Sequence, residues 1–258
     1  MAKLINLTRN KEYYYLLGVL LGDGSIAINR IRIAVKDKEF IMKCKQSLEC
    51  CLNLEKKLKI KKRKNWGFKN YSPSYLYHID FCSVLFSSLV KEDIENLEKL
   101  KDKEKMISFL EGIYDSEGSV GKDRMRIRLI MRDFSIRTIN LISIFLNALK
   151  ISHKIRKNFY KEQQNNFFII DINGSETIKF YKLIKFSIPY KQKRLELHNK
   201  NNEKNWISKA KMKEEAMRLS EKEWCQKYNL SRSRYFVYKR NFKILVSPNL
   251  SQKFIISP

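Results

Sequence analysis

Leu16-Leu17-Gly18-Val19-Leu20-Leu21-Gly22-Asp23-Gly24-Ser25 and Leu110-Glu111-Gly112-Ile113-Tyr114-Asp115-Ser116-Glu117-Gly118-Ser119 carry one message twice. Each is an apolar helical run with small residues four apart, Gly18 and Gly22 or Gly112 and Ser116. Spacing of i, i+4 puts those residues on one helix face, where the lack of side-chain bulk lets a second backbone approach closely. Each run ends in a carboxylate, Asp23 or Glu117, set between a small residue and a glycine. A single copy reads equally well as a buried helix closed by a glycine C-cap. Two copies with matched acids point to one pseudo-symmetric site built from two halves.

Outward from the motifs, the repeat continues. Asn29 to Asp37 and Asp123 to Asp133 alternate basic and apolar residues with period two, so each reads as a strand with one face in the core. Arg30, Arg32 and Lys36 share one parity against Ile31, Ile33 and Val35. Arg124, Arg126, Arg128 and Arg132 oppose Met125, Ile127, Leu129 and Met131. An aspartate N-cap at Asp37 or Asp133 then opens an amphipathic helix, near 38–52 or 134–149. Two further strands follow in each copy, Leu54–Lys64 with Ser74–Phe81, and His153–Tyr160 with Asn166–Asn173. Closing helices are expected near 82–90 and 175–186. The order is α-β-β-α-β-β-α, twice, with Lys91–Lys105 beginning as a linker and 187–199 as a closing extension. The expected divisions are residues 1–95, 96–199 and a basic helical extension over 200–258.

Composition narrows the chemistry. Over 258 residues, 53 Lys and Arg stand against 27 Asp and Glu, a net charge of +26 that favours a polyanionic partner, nucleic acid first. Five cysteines without a C-x-x-C pair argue against a disulfide framework or zinc cluster, and three scattered histidines against a histidine metal site. No apolar run is long enough to span a bilayer and no signal peptide is evident. The expectation is therefore a soluble intracellular protein, in cytoplasm or an organelle matrix, with no membrane partner.

If the two motif helices pack side by side, Asp23 and Glu117 meet at their C-terminal ends. There the acids repel one another and oppose both helix dipoles, which calls for cations. Oxygen-only ligation suits Mg²⁺, and ions held between two acids can stabilise both the attacking and leaving oxygens of a phosphodiester.

The two motifs resemble those of the LAGLIDADG homing endonucleases in their single-chain form. Gly18 and Gly112 match the first glycine of the motif, Asp23 and Glu117 its metal-binding acid, and Gly24 and Gly118 its last glycine. The resemblance covers about residues 10–190, and Glu117 departs from it, because aspartate is the commoner residue there. It implies an α+β fold in which two αββαββα halves form a saddle of antiparallel sheets seated in the DNA major groove. It further implies a monomer that makes a Mg²⁺-dependent double-strand break in a long asymmetric site, such as an intron insertion site, leaving short 3′ overhangs.

Two or more Mg²⁺ ions would be shared by Asp23 and Glu117, with Gly22 and Ser116 beside them. Lys36 would stabilise the transition state, with Arg132 its weaker counterpart. Arg30, Arg32, Arg124, Arg126 and Arg128 would face the DNA, with Lys57, Lys59 and Lys61 from the lysine run, and Lys154 and Arg156 from the second copy. The rival is a maturase that binds intron RNA, or another non-cleaving binder on the same fold. An intein is disfavoured by Met1 at the start and Ser257-Pro258, rather than His-Asn, at the end. In the tail, Ser220-Glu221-Lys222-Glu223 reads as a capping box. Ser231 then caps a helix bearing Arg232, Arg234, Lys239 and Arg240. This pattern resembles a helix-turn-helix, and equally a helical tail anchored by Trp206, Trp224 and Phe236.

Overall fold

The computed structural model describes residues 6–54, 57–65, 74–121, 125–132, 136–160, 165–228, 231–237 and 239, without the side chains at 65, 74, 160, 165 and 201–210. Arg124, Asp133, Arg240 and the side chain of Trp206 lie outside the described set.

The first copy runs α1 (Lys11–Gly22), β1 (Gly24–Ile26), β2 (Arg30–Val35), α2 (Lys38–Leu52), β3 (Lys61–Asn65), β4 (Ser74–Cys82) and α3 (Val84–Asn96). The second runs α4 (Lys103–Glu117), β5 (Gly118–Val120), β6 (Arg126–Arg132), α5 (Ile136–Ala148), β7 (Lys154–Tyr160), β8 (Asn165–Asn173) and α6 (Glu176–Leu183). The sheets are antiparallel and ordered alike, β1-β2-β4-β3 and β5-β6-β8-β7. The α+β fold with two αββαββα copies is therefore present.

Local chemistry explains the element starts. Asn10, Asp37 and Ser83 accept hydrogen bonds from the backbone N–H groups of Tyr13 (3.0 Å), Phe40 (2.8 Å) and Phe86 (3.1 Å), satisfying donors that a helix start leaves open. Asp102 does the same for Glu104 and Lys105 at the start of α4. In β2, Ile31, Ile33 and Val35 are buried while Arg30 is exposed; in β6, Ile127, Leu129 and Met131 are buried. Both sheets thus turn an apolar face to the helices. One continuous core joins the copies, with Tyr13, Leu16 and Leu17 of α1 packed in the same cluster as Phe109, Leu110 and Ile113 of α4.

Three expected boundaries move. The strand expected over Leu54–Lys64 forms only from Lys61, because the preceding segment bonds back to α2: Leu54 N–H donates to Glu49 O and Leu58 N–H to the Glu49 carboxylate at 2.6 Å. α3 runs on to Asn96 and a 3₁₀ turn, Leu97–Lys99, follows, so the linker is shorter than Lys91–Lys105. Leu97 is buried in the core, which supplies the reason. The last helix of the second copy stops at Leu183, two residues before Lys185 takes a left-handed φ of 64°.

Residues Met1–Asn199 form one compact unit and Lys200–Pro258 another. α7 is Pro189–Arg218, with proline at its first position, where a missing N–H costs nothing. In the second unit α8 (Glu221–Tyr228) and helical residues 232–237 enclose a small cluster of Ala216, Trp224 and Tyr235. Among the described residues no helix is long and apolar enough to cross a membrane.

Candidate active site and nucleic-acid interface

The site begins with two helices in backbone contact. A Cβ placed on Gly18 would lie 2.1 Å from the Phe109 carbonyl oxygen, and one on Gly112 would lie 2.0 Å from that of Tyr15. Only hydrogen fits at either position. One turn on, a Cβ on Gly22 would meet Ser116 Oγ at 2.2 Å and Glu117 Cγ at 3.1 Å. The seam between α1 and α4 therefore delivers Asp23 and Glu117 to one place.

Their electrostatics bear the mark of that meeting. Burial raises the pKa of Glu117 above its ordinary value, and the charge of Asp23 raises it further, while Lys191 and Arg132 pull it down. Burial also raises Asp23, with Lys191 opposing. Asp23 nevertheless keeps an exposed edge and Glu117 is half-buried, so both remain reachable from solvent.

Lys191 was not visible in the sequence. It is buried within α7, and its ammonium donates to the carbonyl oxygens of Asp115 and of Tyr114 (3.3 Å), groups at the end of α4. Tyr114 O already accepts the Gly118 N–H, so the cation adds a second donor there, bonds the Asp115 carbonyl and opposes the negative end of the helix dipole. Burial lowers the pKa of Lys191, while Asp115, Asp23 and Glu117 raise it. The Asp115 carboxylate is buried too, accepting from Tyr15 OH at 2.9 Å, from Ser187 N–H at 3.0 Å and from the Ser187 hydroxyl. Tyr15, Asp115 and Ser187 thus tie α1, α4 and the approach to α7 together. Burial outweighs these bonds and raises the pKa of Asp115. No spacing rule would have found Lys191, because its contacts span 76 and 77 residues.

The donor set fits a hard divalent cation. Two carboxylates in a partly desolvated position gain from a positive charge, and the Gly22 and Ser116 carbonyls are neighbouring oxygen donors. The Ser116 hydroxyl is occupied, donating to Gly112 O at 3.1 Å. Among the described residues no group of three or more His, Cys, Asp or Glu side chains gathers to hold a metal. Two acids, carbonyls and water suit Mg²⁺, which keeps several waters, better than zinc.

The basic face is more organised than a row of free cations. In β2 and β4 Arg32 is paired with Asp80, its Nε 2.6 Å from the carboxylate, with Lys61 at 3.7 Å and His78 at 3.6 Å. The Arg32 hydrogen bond and charge hold Asp80 below its ordinary pKa. In β6 and β8 the equivalent pair is Arg128 and Asp171 at 3.1 Å, joined by Arg126 at 3.8 Å and by Arg156 from β7. The Asp171 side chain is only 4% exposed, so its three guanidiniums roof it and fix their own directions. Arg30, Lys57, Lys59 and Lys154 are exposed. Arg132 is exposed at the end of β6 and acts on Glu117, whereas Lys36 is exposed just past β2. Ile130 shares the arginine parity of β6 and is 39% exposed, an apolar element overlooked in the basic row.

Comparison with known proteins agrees with this architecture. A probable translation initiation factor IF-2 of Methanocaldococcus jannaschii is 29% identical over 199 residues, 74% of this chain, which spans only 16% of that protein's length. The crystal structure of I-DmoI in complex with DNA and calcium superposes with a TM-score of 0.53 at 21% identity, over 73% of this chain and 98% of that one. Full-length DUF199/WhiA from Thermatoga maritima superposes with a TM-score of 0.50 at 15% identity, over 92% of each chain. The model of the LAGLIDADG-like domain matches residues 10–102 and 104–185, once for each copy of the motif, and the chain belongs to that family.

Proposed function

We propose that this chain is a site-specific homing endonuclease that makes a Mg²⁺-dependent double-strand break in a long asymmetric DNA site and leaves short 3′ overhangs. The observation that carries the proposal is the meeting of Asp23 and Glu117 at the ends of two helices held in backbone contact. A protein that only binds nucleic acid has no use for two acids raised by burial at its centre, one of them raised further by the other's charge. The halves 1–95 and 96–199 would each address one side of the target. In I-DmoI, a relative in fold, DNA and calcium are bound together.

In this scheme Asp23 and Glu117, with the Gly22 and Ser116 carbonyls, hold the divalent ions. The ions would supply Lewis acidity and lower the pKa of the attacking water. Arg132 offers a permanent cation to the phosphate as charge builds, and it cannot act as a base. Lys191 and the Tyr15–Asp115–Ser187 bonds hold the helix ends, and with them the acids, in place. The arginines on Asp80 and Asp171 present fixed donors that suit guanine edges in the major groove. Lys57, Lys59 and Lys154 would supply salt-sensitive affinity for phosphates.

The test uses duplex DNA that joins the sequences flanking the chain's own gene, incubated with the protein and Mg²⁺. Cutting of both strands is expected. Asp23→Asn and Glu117→Gln should abolish cutting and retain binding by gel shift. Full cutting by either variant would remove the acids from the mechanism, and binding without any cutting by the unaltered chain would favour the maturase or non-cleaving role.

A further inference from the structure

The C-terminal unit holds the other concentration of unexplained features. Its apolar cluster is small but well fixed: Trp224 Nε1 donates to Met212 O at 2.8 Å, and Tyr228 OH to Glu215 at 2.6 Å. Lys227 pairs with Glu215 at 2.7 Å, and Tyr235 is 3% exposed beneath the following helical turn. Three residues, 229–231, separate α8 from residues 232–237, the spacing of a helix-turn-helix. The capping box that opens α8 is formed, with Ser220 N–H on the Glu223 carboxylate at 2.9 Å.

Charge is sorted along this unit. Glu203, Glu214, Glu215, Glu221 and Glu223 all precede Trp224, and from Trp224 to Pro258 no Asp or Glu occurs. Over residues 232–237 Tyr235 points into the cluster, leaving Arg232, Ser233, Arg234, Phe236 and Val237 outside. Phe236 is 45% and Val237 51% exposed, with the Phe236 ring beneath the Arg232 guanidinium at 5.7 Å. Arginine, serine and exposed apolar side chains on one short helix match what a base edge and a thymine methyl require.

We propose that residues 212–228 and 231–237 form a second DNA-binding module of helix-turn-helix type, whose 232–237 segment enters the major groove of duplex DNA. Duplex DNA is favoured over duplex RNA on geometry. The B-form major groove is about 12 Å wide and admits a helix, whereas the A-form groove is too narrow and deep. The module does not depend on cleavage, so it stands or falls apart from the endonuclease proposal.

The test uses the full chain and a 40-bp mixed-sequence DNA duplex carrying bromodeoxyuridine, without Mg²⁺. Photo-crosslinks are expected in the peptide holding residues 232–237. Arg234→Glu with Val237→Glu, both at exposed positions, should abolish those crosslinks, leave crosslinks to residues 1–199 unchanged, and make the salt slope shallower by about 1. Circular dichroism checks that the variant stays folded; if it does not, Arg234→Ala alone, with the same readouts, replaces it. Two results would overturn the proposal. One is an unchanged salt slope with no crosslinks at 232–237. The other is equal or better crosslinking of that segment to an RNA duplex of the same sequence.

Discussion

Alanine at Gly18 or Gly112 gives the sharpest test of the helix seam, because two physical terms predict opposite signs. In an isolated helix, Gly→Ala stabilises by about 1 kcal/mol. Here the added Cβ would stand 2.1 Å from a backbone oxygen at Gly18 and 2.0 Å at Gly112, where about 3 Å is the closest real approach. Backbone oxygens cannot rotate aside, so the helices must part by about 1 Å, which forfeits about a quarter to a half of the dispersion energy of contacts across the seam. Overpacking of this kind costs about 1–3 kcal/mol, and more when the clash is with backbone. The net expectation is a loss of about 2 kcal/mol or more, a fall of roughly 4–8 °C in melting temperature for a unit of this size.

Thermal unfolding followed by near-ultraviolet circular dichroism reads that loss. Cleavage should fall further than stability, by about a hundredfold at temperatures where the variant is folded, since a 1 Å displacement of the acids spoils their geometry. Gly22→Ala separates steric from helical effects. Its Cβ would meet a side chain, Ser116 Oγ at 2.2 Å and Cβ at 2.8 Å, so Ser116→Gly should rescue it non-additively. A higher melting temperature for Gly18→Ala or Gly112→Ala would refute the seam, and with it the meeting of Asp23 and Glu117.

Glu111 gives a pH-dependent prediction. Burial and Asp115 push its carboxyl up from 4.5 to about 7, against the pull of Lys43 and Lys11. A carboxyl raised in the folded state costs stability as pH climbs from about 4.5 through about 7, because the folded form retains a proton that the unfolded chain releases. Glu111→Gln should change little at pH 5 and gain on the order of 2 kcal/mol at pH 8 by urea unfolding. Equal effects at both pH values would contradict that environment. Asp171→Asn tests the arginine clamp: releasing Arg126, Arg128 and Arg156 should steepen the salt dependence of binding by about 1 and reduce discrimination between target and random duplex. Unchanged slope and discrimination would make Asp171 a purely structural counter-charge.

Local chemistry made the repeat legible. The parity of Ile31, Ile33 and Val35 gave the face of β2, Asp37 gave the start of α2, and Gly18 with Gly112 announced the seam. Signals of this kind lie within one turn or one strand. What escaped depended on partners far along the chain. Asp80 and Asp171 are ordinary strand residues until the register sets them opposite Arg32 and Arg128. Lys191 lies in a stretch with no pattern beyond Pro189, and its importance comes from ending on the carbonyls of α4. Lys57 and Lys59 were expected in a strand, yet Glu49 holds that segment on α2. Period two could not predict that contact.

The same division explains why the symmetry is incomplete. Sheet order, register and the glycine seam repeat because short-range patterns encode them and both copies carry those patterns. The cations around the acids do not repeat. Arg132 acts on Glu117, and the residue matching it in the first copy, Lys36, is an exposed lysine beyond the end of its strand. Asp115 anchors Tyr15 and Ser187, whereas the first motif has Leu21 at that place, with no polar group to do the same. Lys191 follows only the second copy, and its ammonium caps only the end of α4. A two-fold scaffold therefore holds an unequal electrostatic site, in which Lys191 acts on both acids while Arg132 adds its charge at Glu117. The polar anchors gather on the second motif, the one that carries glutamate in place of aspartate. A longer carboxylate has one more rotatable bond to fix, and a helix end pinned by Lys191, Asp115 and Ser187 removes freedom from the backbone that bears it.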